Sequence, residues 1–548
     1  MRTTFSWLIA SVFLVHLSLA SAQQTAVNEA IRVEVEQLRE SGILSIGGVD
    51  IAAGNLLAEV YERRNFAPNW TNRDEIGELI TVIKNTDKDG LDPADYHLRE
   101  AEYVYRELGA GNLQSAHEQA ALDVMLTDSL FRVAYHLRFG KVNPNNLDTN
   151  WNFKRELGDQ PPAVRMQQAM DAPSLQTFLD ELAPRGPIYK RLRVALADYR
   201  ELAAAGGWPS VAEGPTLKPG ATDERVATIA RRLAVTADIA DAAPYTSSAV
   251  YDEALEAGVR KFQARHGLDS DGVIGPATLR AMNVPVESRI EQLRLNLERA
   301  RWVFDSLSDN FIIVNIAGFR AYVVRDTNIV WQTQVQVGRS YHQTPVFRDE
   351  MKYVVFNPTW TVPYSIATKE MLPRIKKDPT YFDTRDFDIK DRSGALIDPK
   401  SIDWSSLSRG NFPYTFVQRP GPRNALGRVK FIFPNEHSVY LHDTPSKALF
   451  GRAERAFSHG CVRVQNPFDL AEVLLGSDGW DQDKIKATLD SLETKTVYLP
   501  EALPVLLLYW TADIGQTGDV HFYTDVYERD ARITKAMAAP FKAELPGG

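Results

Sequence analysis

A single cysteine, Cys461, stands in a chain of 548 residues. No internal disulfide can form, and stability rests on packing. The ten histidines show no paired Cys/His spacing, which removes a structural zinc site. Lysine and arginine (62) are outnumbered by aspartate and glutamate (71), and the net charge of −9 argues against a nucleic-acid partner. No long run of one charge and no low-complexity tract occurs. Beyond the N-terminus no stretch is long and apolar enough to span a membrane, and Pro504-Val505-Leu506-Leu507-Leu508-Tyr509 reads as a buried strand. Gly-Xaa-Ser-Xaa-Gly is missing around Ser458, so an α/β-hydrolase nucleophile elbow is unsupported.

The N-terminus carries an export pattern. Met1-Arg2 is positive, Phe5 to Leu19 is mostly apolar, and Ala20-Ser21-Ala22 precedes Gln23 as a small-residue cleavage site. Residues 1–22 therefore read as a signal peptide, with an uncleaved anchor as the alternative. A lone thiol in an exported protein is a reactive group or an intermolecular bond; the bland alternative is a buried inert cysteine.

The pattern along the chain predicts a multidomain α+β protein. Residues 23–216 read as a helical scaffold: Ile31, Val35 and Leu38 recur at helical spacing before Gly42, Leu57, Val60 and Tyr61 before Pro68, and a helix over Ala121 to Phe139 ends at Gly140. Asn85, Asp87, Asp89 and Gly90 imitate a calcium loop, but Tyr96 stands where the bidentate Glu belongs and Pro93 intrudes, so a plain loop is expected. Gly206-Gly207-Trp208-Pro209 to Pro219-Gly220 is a connector. A compact module follows over 217–285, with helical patterns at Val226–Leu233 and Ala254–His266, turns at Asp271-Gly272 and Gly275-Pro276, and Thr278 opening a last helix. From about 290 to 510 a helix, Ile290 to Trp302, leads into β-rich segments at 311–316, 321–324, 330–337, 353–356, 429–433 and 439–441, and the tail returns to strands at 496–498, 505–509 and 520–523. The Pro-, Lys- and Arg-rich stretch between them is too long for a loop, and 364–425 reads as a subdomain inserted over the site. Residues 511–548 form a C-terminal extension expected to pack on the scaffold or on the β-rich domain.

The chemistry concentrates in Ser458-His459-Gly460-Cys461-Val462-Arg463. A thiolate is a strong nucleophile that needs a base or a cation nearby and donors for the oxyanion it creates. His442 ends the apolar run Val439-Tyr440-Leu441, and Cys461 precedes the helix-opening Pro467-Phe468-Asp469. A strand end and a pre-helix loop are easily brought together, so His442 is the expected proton acceptor for Cys461. The N–H groups of Gly460 and Cys461 are candidate oxyanion donors, with Gly460 free to take unusual torsions. His459 orients the loop, donates to substrate or holds Cys461, three roles that the sequence leaves open. Ser458 supports the same loop. Arg463 is either a carboxylate clamp or half of an ordinary ion pair.

These residues resemble a known family. Val259, Phe262-Gln263, Gly267-Leu268, Asp271-Gly272 and Gly275 with Thr278 resemble the small three-helix peptidoglycan-binding module. His442 with Ser458-His459-Gly460-Cys461-Val462-Arg463 resembles the signature of the L,D-transpeptidases with a YkuD-type catalytic domain. The longer layout resembles their large periplasmic YcbB-like branch: His136 to Pro144, Val337-Gly338-Arg339 with Thr344-Pro345, Asn357 to Pro363, Tyr440 to Thr444, and Asp525 to Asp530. The resemblance implies a β-sandwich-like catalytic domain with a capping insertion and a role in peptidoglycan biosynthesis, cell-wall organisation and cell shape in the periplasm of a Gram-negative-type cell. It implies a two-step acyl transfer in which Cys461 attacks the bond after meso-diaminopimelate in a tetrapeptide stem, D-alanine leaves, and a second stem's amine forms a 3→3 cross-link. Tyr440 and Trp360 would border the substrate groove, and no metal or organic cofactor is implied. The implied partners are stem peptides and glycan, with wall-synthesis proteins beside them and no membrane span after signal cleavage. Two alternatives stay open: an L,D-carboxypeptidase using water as acceptor, and a non-catalytic wall-binding scaffold.

Overall fold

A computed structural model describes residues 4–541, apart from 43, 52, 111, 113–114, 149–150, 154–158, 304–308, 379 and 516, with side chains from residue 23 onward. The backbone is helical over Thr4–Ser41; the side chains of 1–22, on which the export reading rests, lie outside the described residues. Among the described residues no helix is long and apolar enough to cross a membrane.

The N-terminal part is built around the helix Ala116–Phe139, which is buried on nearly every side. Helix Thr4–Ser41 lays Val27, Ile31, Val35 and Leu38 into the same core and stops where Gly42, at φ +68°, returns its N–H to the Leu38 carbonyl at 2.8 Å. Inside this core the buried Asp123 carboxylate is paired: it accepts from the Tyr61 hydroxyl at 2.6 Å and the Trp70 N–H at 2.8 Å. The calcium-like segment forms two short 3₁₀ turns, Thr86–Asp89 and Pro93–Tyr96. Its acids are committed to protein partners, Asp89 to the Tyr189 hydroxyl at 2.8 Å and Asp87 to Arg200 at 2.6 Å.

The module after the connector holds helices Val226–Val235, Glu253–Arg265 and Pro276–Met282 around Ile229, Leu233, Val259, Phe262 and Ile274. The last helix opens at Pro276, not at Thr278 as expected. Proline's fixed φ suits the first helical position, and the Thr278 hydroxyl is turned inward to the Gln263 amide at 3.2 Å.

Helix Val286–Val303 joins the scaffold to the β-rich domain through a buried polar knot. Glu298, fully buried, accepts from the Val142 N–H at 2.8 Å and from the Trp302 indole at 3.0 Å, and pairs with Arg301. Arg301 in turn donates to the Asp89 carbonyl at 2.8 Å. Gly140 stands against this knot, since a Cβ there would lie 2.5 Å from the Glu298 carboxylate.

The β-rich domain is one sheet that closes on itself. Its strands are β1 (Phe311–Asn315), β2 (Arg320–Arg325), β3 (Asn328–Gly338), β4 (Phe347–Phe356), β5 (Val429–Ile432), β6 (Leu441–His442), β7 (Ala456–Ser458), β8 (Val462–Val464) and β9 (Lys495–Leu508). They lie in the order β7-β3-β8-β6-β5-β4-β9-β1-β2, and β2 pairs back to β3. Closure follows from the length of β3: its first part runs antiparallel to β2, while Val335 and Gln336 pair with β8. Phe347, Phe356, Phe431, Leu441, Val462, Val464 and Leu506 fill the interior, and helix Pro467–Leu475 covers one side with Leu470, Leu474 and Leu475. The two tail strands expected at 496–498 and 505–509 are one strand, β9. Its register against β4 shifts between Tyr498 and Leu503, around Pro500, which has no N–H to give to a ladder.

Between β4 and β5 the chain builds a separate small unit. Strands Trp360–Thr361, Phe387–Lys390 and Thr415–Gln418 pair beside a helical segment over 364–377 and enclose Leu372, Ile375, Phe382, Ile389, Phe412 and Phe416. Its two roots are held by asparagines. Asn357 donates its amide to the Thr488 carbonyl at 2.8 Å, and Asn424 to the Pro358 carbonyl at 3.1 Å. The C-terminal extension touches both neighbours: Phe522 meets Tyr199 of the scaffold, Ile533 and Met537 join the interior of the β-rich domain, and Phe541 packs on Tyr135 and His136.

Candidate active site

Strands β6 and β8 run side by side in parallel, with Leu441 beside Val462 and His442 beside Arg463. The Val462 N–H extends the ladder to the Tyr440 carbonyl at 3.1 Å. Side chains alternate along a strand and register partners share a face. Leu441, Val462 and Val464 therefore enter the core, and Tyr440, His442, Cys461 and Arg463 all project to the other side.

Cys461 lies opposite Tyr440. Its Sγ is 3.7 Å from the Ser438 carbonyl and faces both the backbone N–H and the hydroxyl of Tyr440. Ser438 adopts φ +53°, an uncommon conformation for a residue with a side chain. Burial pushes the thiol above its ordinary pKa, against the pull of these Tyr440 donors and of the Arg463 charge. Burial and the neighbouring Cys461 push the Tyr440 phenol well above its usual range, so it remains a proton donor.

His442 is 4% exposed and sits diagonally from Cys461 on the shared face. Burial first, then the Arg463 charge, lowers its pKa to about 3, so the ring is neutral at pH 7. Its Nδ1 faces the Asp443 carbonyl, which can only accept. Nδ1 therefore carries a proton, and the Leu426 carbonyl is a second acceptor facing the ring. The resting pair is thus thiol and neutral imidazole. Alkylation of Cys461 by iodoacetamide is accordingly expected to rise with pH beyond the ordinary thiol value of about 8.5, because the folded thiol pKa is raised. A plateau reached by pH 6 to 7 in the alkylation profile would instead reveal a thiolate–imidazolium pair.

The loop before Cys461 is clamped by Ser458, whose hydroxyl donates to the Cys461 carbonyl at 2.5 Å and accepts the Gly460 N–H at 3.1 Å. Of the two expected oxyanion donors, the Gly460 N–H is therefore engaged, whereas the Cys461 N–H meets no acceptor among the described residues. Gly460 adopts φ +116°, a torsion that favours glycine. His459 turns away from the thiol: its Nε2 meets the Glu370 carboxylate of the inserted unit at 2.7 Å, and its ring lies 5.3 Å from that of His342. Arg463 has no carboxylate partner among the described residues and donates to the Gln336 side chain at 3.2 Å, so the ordinary ion pair weighed for it is not formed. Trp360 packs against the inserted unit's own core beside Phe387, at 6.4 Å between rings.

Several residues around the loop carry no signal that sequence reasoning could turn into a role. The Ser438 carbonyl reaches the thiol only through a local backbone torsion, Gln336 arrives from β3 across the closure, and Glu370 arrives from the inserted unit. Thr344 donates its hydroxyl to the Gly460 carbonyl at 2.8 Å, from a segment that was legible only as a piece of a resemblance.

Three stretches of the chain match known domain families. Residues 309–496 match the family described as "L,D-transpeptidase catalytic domain" (YkuD), residues 55–196 the "Scaffold domain", and residues 223–282 the "Putative peptidoglycan binding domain". A Haemophilus influenzae protein described as "Putative L,D-transpeptidase" is 38% identical over 251 residues, which is 46% of this chain and 50% of that protein. The chain thus spans about half the length of the curated relative it matches. The crystal structure of an L,D-transpeptidase from Xylanimonas cellulosilytica is matched over its whole length and 54% of this chain, at 16% identity and a TM-score of 0.17. Residues 309–496 thus match a YkuD-type L,D-transpeptidase catalytic domain, carried in one chain with regions that match a scaffold domain and a peptidoglycan-binding domain.

Proposed function

We propose that the protein is exported and cross-links peptidoglycan through a thioester on Cys461. The observation that carries this reading is the shared face of β6 and β8, on which a thiol, a neutral imidazole, a phenol and an arginine without a carboxylate partner among the described residues stand together. His442 Nε2 takes the thiol proton as Sγ attacks the carbonyl between the third and fourth residues of a tetrapeptide stem. The oxyanion forms at the Cys461 N–H. The imidazolium returns its proton to the departing D-alanine amine, leaving the thioester. The side-chain amine of a second stem's meso-diaminopimelate then attacks, His442 takes the proton released by that amine, and the thiol is regenerated as the 3→3 amide closes. Arg463, already turned to this face and short of a carboxylate, is the cation offered to the stem's terminal carboxylate. Tyr440 steadies the thiolate, and the unit inserted over 364–425 covers the site from the His459 side. The peptidoglycan-binding-type module holds the enzyme on its polymer substrate.

The test is mass spectrometry of the purified protein incubated with disaccharide-tetrapeptide, beside Cys461→Ala. Cross-linked dimers lacking one D-alanine, and absent with the variant, are expected. Tripeptide alone would assign water as the acceptor and make the protein an L,D-carboxypeptidase. No product dependent on Cys461 would leave a wall-binding scaffold.

A further inference from the structure

The C-terminal extension reaches the catalytic loop through a chain of hydrogen bonds. Asp525 accepts from the Tyr509 hydroxyl at 2.5 Å and from the Arg529 N–H at 2.9 Å, which fixes the turn that presents Tyr527. The Tyr527 ring lies stacked on Tyr509, 5.5 Å between centroids, and its N–H donates to the Tyr509 hydroxyl at 2.9 Å. The Tyr527 hydroxyl then donates to the Gly338 carbonyl at 2.5 Å and accepts the Thr344 N–H at 3.2 Å. Thr344 is fully buried. Its hydroxyl accepts the Gly338 N–H at 2.9 Å and donates to the Gly460 carbonyl at 2.8 Å.

That last bond bears on the chemistry. The Gly460 carbonyl and the Cys461 N–H belong to one peptide unit, which is planar and trans, so the two groups point in opposite directions. Holding the carbonyl aims the N–H. Thr344 thus sets the direction of the Cys461 N–H, which meets no acceptor among the described residues, and the bond it donates also polarises that peptide. Tyr527 holds both ends of the turn in which Thr344 sits. Ring packing alone would be served by phenylalanine, whereas the hydroxyl is what joins residues that lie nearly two hundred positions apart in the chain.

We infer that Thr344 and Tyr527 are positioning residues that aim the Cys461 N–H at the developing oxyanion, which makes the C-terminal extension part of the acyl-transfer machinery. The inference rests on the reading of Cys461 as the nucleophile.

The test compares two reactions of the same thiol. Thioester formation with a tetrapeptide stem builds an oxyanion; alkylation by iodoacetamide does not. Thr344→Val and Tyr527→Phe are expected to lower the acylation kcat by about tenfold to a hundredfold with KM within about twofold, while the alkylation rate stays within about twofold of wild type. Thr344→Ser, which keeps the hydroxyl, is expected to restore acylation. Wild-type acylation in both variants would overturn the inference. So would an equal loss of alkylation and acylation, because that marks a collapsed loop and not a misaimed donor. If Thr344→Val does not fold, Tyr527→Phe carries the comparison by itself. Wild-type protein that is alkylated at Cys461 yet forms no thioester would overturn the nucleophile reading, and this inference with it.

Discussion

Replacing His442 with alanine is expected to slow thioester formation on Cys461 by a factor of about 10² to 10⁴. The size follows from the resting protonation states. Burial keeps the thiol protonated at neutral pH, so attack requires a base at the moment of reaction. His442 is the imidazole on the same face, kept neutral by burial and by Arg463, with its Nδ1 proton committed to the Asp443 carbonyl. The other groups on that face are Tyr440, a donor, Arg463, a cation, and Lys430, the register partner of His442, whose pKa burial lowers. His442→Gln fills the space with a side chain that can still bond Asp443 but cannot serve as a base, and should be nearly as slow. His459→Ala is expected to keep most of the wild-type rate, since His459 bonds Glu370 and not the thiol. Intact-protein mass spectrometry over time measures all three. Acylation of His442→Gln within a few-fold of wild type, or a larger loss in His459→Ala, would move the base away from His442.

Gly338→Ala is expected to destabilise the catalytic domain by about 3 kcal/mol or more. A Cβ at this position would stand 2.0 Å from the His342 carbonyl oxygen and 2.8 Å from the Thr344 nitrogen. Both are backbone atoms, so relief requires the whole turn over 338–344 to open. Opening it also strips the Gly338 N–H from the Thr344 hydroxyl and the Gly338 carbonyl from Tyr527, leaving buried polar groups unpaired. Gly451, which has nothing within 4 Å of the corresponding position, is the control, with Gly451→Ala within about 0.5 kcal/mol of wild type. Calorimetric unfolding distinguishes the two. A Gly338→Ala transition matching wild type would show that the turn yields, and would remove the steric reason for glycine there.

Both expectations combine what was readable along the chain with what was not. The helix ends at Gly42 and Gly140 were legible because a periodic apolar run stops at a residue that tolerates positive φ. So were most catalytic-domain strands, since runs such as Phe311–Asn315 and Val505–Leu508 are too apolar to lie at the surface. The sequence misled where a local rule met a longer-range partner. Thr278 has the residue type that starts helices, yet Pro276 starts this one because Thr278 is drawn inward by Gln263. Two tail strands became one because β4 pairs with β9 on both sides of the register shift between Tyr498 and Leu503.

The sequence by itself determined the chemistry on offer: one thiol, a histidine at the end of a short apolar run, and a glycine directly before the cysteine. These are properties of residue type and spacing, and no partner is needed to read them. Only the tertiary structure decided how they are used. The parallel register of β6 and β8 puts Tyr440, His442, Cys461 and Arg463 on one face, and the closure through β3 brings Gln336 to Arg463. The inserted unit draws His459 away to Glu370, and the C-terminal extension places a tyrosine behind the cysteine loop. Each of these joins residues far apart in sequence, and hydrogen bonds across such distances are set by the packing of whole elements, which local pattern does not encode.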